Sequence, residues 1–275
     1  MKDTLKHSSN TQRNADGTAQ LHPLSLRSVG GLYGDKLGAS DGEIGRVKDF
    51  LFNDQAWVIR YVVADTGSWL PGRLVLIAPH AFGNFFQAGD CLLVNLTRQQ
   101  IENSPDIEVH KPVSRQREEE YYRYYGWPAY WEGPSMWGMT GFPIAPPPIL
   151  PIEEAKESGA HRGDDPHLRS THALHGYHIQ AGEENLGHVS DFLMDDNSWA
   201  IRHLVVKTGH WFSNKEILIS PEDVERISYD ESKLFLRLTK DAVKSAPEYR
   251  LPDPAYRFRA VESGMNGRQG LFSDR

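Results

Sequence analysis

The sequence predicts an all-β fold of two small β-barrels packed as a pseudo-symmetric pair and joined by an aromatic, Pro-rich linker. Three observations predict it. Residues 28–105 reappear without a gap as residues 170–247, with 24 identities in 78 positions at a constant offset of 142, so one domain is present twice. Within each copy the apolar residues fall in short runs separated by Gly, Asp and Asn, the pattern of five or six strands with few helices. Between the copies the composition changes: nine of 22 residues from 121 to 142 are aromatic. The division that follows is a disordered tail over 1–25, a first repeat over 26–108, a linker over 109–169, a second repeat over 170–249 and a disordered tail over 250–275.

In the first copy the apolar runs are residues 44–52, 57–64, 74–77 and 92–96. The polar break NDQA at 53–56, matched by DDNS at 195–198, reads as a hairpin loop. A hairpin closed there sets Phe52 opposite Trp57, Phe50 opposite Ile59 and Asp49 opposite Arg60. The second copy repeats this as Met194 with Trp199, Phe192 with Ile201 and Asp191 with Arg202. Each aspartate then reads as half of a cross-strand ion pair, not as a catalytic carboxylate. TGSW at 66–69 and TGHW at 208–211 place Gly67 and Gly209 where the chain turns sharply, beside a tryptophan able to cover a barrel end. Each copy closes with a short helix-like segment ending at Pro105 or Pro247.

The linker carries prolines at 128, 134, 143, 146, 147, 148 and 151, which block regular structure. Its aromatic residues Tyr121, Tyr122, Tyr124, Tyr125, Trp127, Tyr130, Trp131 and Trp137 have two readings. They pack back onto the barrels as a strap, or they form a docking surface for a partner.

A net charge of −7 with no cluster of Lys and Arg disfavours binding to nucleic acid. Cys91 is the only cysteine, and Lys233 stands at its counterpart, so neither a disulfide framework nor a thiolate metal site is expected. No apolar window of transmembrane length occurs. The expected setting is cytoplasmic or membrane-peripheral, and homo-oligomerisation stays open.

Three strings shared by the copies carry a resemblance: G-x-V-x-D-F-L from Gly45 and from Gly187, W-x-I-R-x-(VL)-V-x-x-T-G-x-W from Trp57 and from Trp199, and (VI)-L-I-x-P ending at Pro79 and at Pro221. Together they resemble a PRC-barrel protein, and the resemblance covers both copies but not the linker or tails. That family is named for the cytoplasmic domain of the photosynthetic reaction-centre H subunit, and the same barrel forms part of a ribosome-maturation factor. Both uses imply a binding module. This chain shows neither the amino-terminal transmembrane helix of the first nor the separate amino-terminal domain of the second.

The stretch HRGDDPHLRSTHALHGYH supplies His161, His167, His172, His175 and His178 with Asp164 and Asp165. Of these, His172, His175 and His178 are the candidate ligands of a divalent metal, although the first copy has Gly30, Tyr33 and Lys36 in their places. His80 and His210 have no matching histidine in the other copy, and no nucleophile elbow, dinucleotide fingerprint or phosphate loop is present. The sequence therefore predicts a non-enzymatic adaptor without a cofactor, whose partner is another protein or a membrane-associated complex such as a photosynthetic reaction centre. Metal-binding or enzymatic use of residues 161–178 and a ribosome-associated role are the alternatives.

Overall fold

The computed structural model describes residues 11–13, 19–21, 26–82, 91–105, 115–143, 167–209 and 214–249. A two-stranded ribbon of β1 (Thr11–Arg13) and β2 (Ala19–Leu21) precedes the main body. Next come β3 (Leu26–Ser28), β4 (Lys36–Ala39), β5 (Gly42–Asn53), β6 (Val58–Asp65), β7 (Leu74–Ile77), β8 (Cys91–Leu93) and the helices α1 (Arg98–Glu102) and α2 (Arg115–Tyr125). The remainder holds β9 (Leu168–Ser170), α3 (Thr171–Leu174), β10 (His178–Ala181), β11 (Glu184–Asp195), β12 (Ile201–Thr208), β13 (Glu216–Ile219), β14 (Val224–Ser228), β15 (Lys233–Leu236) and α4 (Lys240–Lys244). The described residues are thus mostly β, with two large sheets and few helices.

One sheet runs β7-β6-β5-β4-β8 and the other β13-β12-β11-β10-β15-β14. Among the described residues neither order returns to its starting strand, so the sheets are open where the sequence predicts closed barrels. The β13 and β7 edges are covered instead of joined. Residues 247–249 pair with β13 through Leu218 N to Pro247 O (2.9 Å) and Tyr249 N to Glu216 O (2.8 Å). A side chain of α2 serves β7, as described below.

The registers of the two sheets coincide at the offset of 142. Phe50 pairs with Val62 as Phe192 pairs with Leu204, Val62 with Ile77 as Leu204 with Ile219, and Lys36 with Cys91 as His178 with Lys233. The expected hairpin register is nevertheless wrong. Phe52 faces Ile59, Phe50 faces Val62 and Asp49 faces Val63, with Met194, Phe192 and Asp191 shifted in the same way. Trp57 (φ 53°) and Trp199 (φ 59°) lie in the left-handed region and belong to the loop, which moves the pairing by two residues. A bulge then leaves Arg60, or Arg202, without an opposite residue and moves it by one more. No Asp49–Arg60 or Asp191–Arg202 ion pair forms.

The halves also exchange their first strands: β3 pairs with β11, and β9 pairs with β5. Between the hairpins, Val58 bridges Ala200, flanked by Ile59 N to Trp199 O (2.9 Å) and Ile201 N to Trp57 O (2.7 Å). Each of these contacts maps onto its mate when 142 is added to one partner and subtracted from the other. Buried residues of both halves and of the linker form one continuous apolar cluster, so the described body has a shared core.

Candidate functional site

The aspartates of β5 and β11 tie the exchanged strands down. Asp49 accepts hydrogen bonds from Ser170 Oγ, Thr171 Oγ1 (3.2 Å) and the His172 amide (3.1 Å). Asp191 accepts from Ser28 Oγ and the Gly30 amide (2.8 Å). Arg27 pairs with Asp196 and Arg169 with Asp54, each at 3.2 Å, and Tyr229 Oη donates to the same Asp54 at 2.7 Å. Their partners differ from those the hairpin register predicts, because strand exchange is invisible within one repeat. Arg202 pairs with Asp195 (3.3 Å) instead of Asp191.

Residues 115–143 lie as a strap on the first sheet. Spacings of three and four set Glu118, Tyr121, Tyr122 and Tyr125 on one side of α2. Tyr121, Tyr122, Tyr130 and Trp137 are buried, Tyr125, Trp127 and Trp131 are half-buried, and Tyr124 is exposed. A partner cannot reach the buried four, which corrects the docking reading for those residues. Tyr121 Oη donates to Leu76 O (2.9 Å) and accepts from Ala78 N (3.1 Å), so it occupies the outer edge of β7. Trp137 Nε1 donates to Ser198 O at 2.8 Å, which carries the strap onto the second half.

Under the strap lies a group of polar residues that sequence reasoning misses. Glu118, with no exposed surface, accepts from Tyr61 Oη (2.7 Å) and Tyr130 Oη (2.8 Å) and pairs with Arg115 Nη1 (2.9 Å). The bulge aims Arg60 at the strap: Nη1 donates to Met136 O at 2.6 Å, and the guanidinium lies 3.9 Å from the Tyr130 ring centre and 4.7 Å from that of Trp137. His80 stacks on Trp127 at 5.5 Å and meets Trp137 and Tyr122 edge-on. The E-x-x-Y-Y spacing signals Glu118, whereas His80 has no signal because its role depends on a segment far along the chain.

Burial, and then the charge of Glu118, hold the Tyr61 and Tyr130 hydroxyls well above the usual phenol range. Burial first and Arg60 second push His80 down to about 4. At neutral pH these groups keep their protonation state, which suits a clasp better than an acid–base centre. One consequence is acid sensitivity. Above pH 6.5 His80 is neutral folded or unfolded; as pH falls from 6.5 toward 4, the unfolded chain binds a proton that the folded chain excludes. Stability is expected to drop by about 3 kcal/mol over that window. Urea denaturation at stepped pH should show a shallower drop for His80→Phe, and an unchanged slope would remove His80 as its source.

The candidate metal ligands do not converge. His172 meets the Tyr33 ring edge-on at 5.7 Å, His178 Nδ1 lies 3.1 Å from Asn185 Nδ2, and His175 is exposed. Among the described residues no three His, Cys, Asp or Glu side chains are grouped to hold a metal ion; His161, Asp164 and Asp165 lie outside them. Gly67 adopts φ 57° in its turn, while His210 and Trp211 of the matching turn are outside the described residues. No helix of the described residues is long and apolar enough to cross a membrane.

Residues 171–243 match the PRC-barrel domain. This PRC-barrel domain, a protein-interaction module and generally non-catalytic, runs from α3 into α4 and includes β10 to β15. An uncharacterized protein of Deinococcus radiodurans is 41% identical over 73 residues, which make up 26% of this chain and 26% of that protein. The match thus spans about a quarter of the relative's length.

Proposed function

We propose that the chain is a non-enzymatic adaptor in which two PRC-type domains, one in each repeat, pack as a pseudo-symmetric pair and bind another protein or a membrane-associated complex. The outward face of the strap is the docking surface in this reading, with Met139 and Tyr124 as its contacts. The observation that carries it is Met139, 79% exposed on a turn tied by Ser135 N to Gly138 O (2.9 Å) and Trp137 N to Thr140 O (3.1 Å). The backbone of an anchored turn is already ordered before a partner binds, so only the side chain has to be fixed on contact. Tyr124 on α2 is 42% exposed, with its hydroxyl donating to Gln100 O at 3.0 Å.

Crosslinked co-purification from native cells, with soluble and membrane fractions kept apart, tests this reading. The intact chain is expected to retain a specific partner that Tyr124→Glu/Met139→Glu loses by tenfold or more at an unchanged melting temperature. Full retention by the variant would move docking off the strap. Recovery of no partner by the intact chain would sink the adaptor reading.

A further inference from the structure

We propose that the chain can pair with a second copy of itself by reciprocal exchange, the first half of each copy docking on the second half of the other. The surface that joins the halves is self-complementary about the Val58–Ala200 bridge, and two kinds of polar tie across it occur twice. Ser28 on Asp191 answers Ser170 on Asp49, and Arg27 on Asp196 answers Arg169 on Asp54. Every such contact joins one half to the other, so a second half from another molecule satisfies it equally well. Beyond the strap, which stays on the first half, covalent continuity runs only through residues 144–166. Other contacts select unlike halves. Trp137 reaches Ser198, Phe82 packs on Trp199 with ring centres 5.1 Å apart, and Tyr229 donates to Asp54.

Within one molecule the second half is present at an effective concentration of roughly millimolar, so the single chain holds the advantage until protein concentration approaches that value. Exchange of whole elements at no loss of contacts is a low-cost route to dimers. The inference is independent of the adaptor reading, because it uses only the surface between the halves.

The bridge supplies the test. Val58 and Ala200 form a non-hydrogen-bonded antiparallel pair, whose Cα atoms are about 4.5 Å apart, within reach of a disulfide. Two full chains, Val58→Cys/Cys91→Ser and Ala200→Cys/Cys91→Ser, are refolded together from denaturant and oxidised with glutathione disulfide. A chain carrying all three substitutions is the control and should close its bridge as a monomer. The mixture is expected to give a disulfide-linked dimer at least tenfold more abundant at ~1 mM than at ~10 μM, the range set by effective concentration, with neither variant linking to itself. No linked dimer at the higher concentration, while the control closes, overturns exchange. Self-linking by the Val58→Cys chain replaces unlike with like pairing, and a control that stays open overturns the bridge geometry on which the inference stands.

Discussion

Glu118→Leu is expected to lower stability by about 3–5 kcal/mol and to loosen the strap from the first sheet. The carboxylate has no exposed surface and takes hydrogen bonds from two phenols, one on β6 and one on the strap, together with a charge-assisted contact from Arg115. Removing it strips the Tyr61 and Tyr130 hydroxyls of this acceptor, at roughly 1–3 kcal/mol for each buried group left unsatisfied, and leaves Arg60 and Arg115 without its charge. Glu118→Gln keeps an acceptor and loses only the charge, so its loss should be about half as large. Urea denaturation monitored by tryptophan fluorescence reads both effects, since Trp127, Trp131 and Trp137 all sit in the strap. A Leu variant within ~1 kcal/mol of the parent, the scale of one ordinary hydrogen bond, would show that aromatic packing alone holds the strap.

Much of this architecture can be read from the chain because a gapless repeat makes two independent statements about one fold. The all-β character and the hairpin at 53–56 follow from it, and the equality of the two registers is its structural counterpart. The register itself is not legible: nothing in NDQAW announces that a bulky tryptophan adopts φ 53° and joins the loop, yet that choice relocates every partner on β6. Strand exchange is hidden for a different reason. β3 and β9 have the same sequence LRS, so composition cannot tell whether each pairs within its own half or across. The linker shows the limit of composition in another way. Its aromatic density marks it as a segment that leaves water, but burial of Tyr121 and exposure of Tyr124 are decided by helical phase, and the clasp beneath needs Arg60 and His80 from the distant repeat. The absence of a matching histidine in the second copy, which makes His80 look incidental, reflects that the strap lies on the first sheet.

Gly45→Ala and Gly187→Ala are each expected to cost about 4 kcal/mol or more, a loss reached only when backbone itself is obstructed. Both glycines have positive φ, 137° and 147°, where a side chain is strained before any contact is counted. A Cβ added at Gly45 would lie 2.0 Å from the Asp65 carbonyl oxygen, and at Gly187 2.1 Å from that of Lys207. These neighbours are backbone atoms of the adjacent strand, so no rotamer change relieves the overlap, and β5 or β11 must part from its partner there. Gly67→Ala is the internal contrast: φ is 57° but nothing lies within 4 Å of the new Cβ, so only the backbone penalty of about 1 kcal/mol applies. Thermal and urea denaturation of the three variants separate the two terms. Equal losses at Gly45 and Gly67 would mean that positive φ alone sets the cost and that β5 and β6 can move apart; a large excess at Gly45 and Gly187 means that close approach of the strands, repeated at the same step of both halves, fixes the hairpins that the shared core is built on.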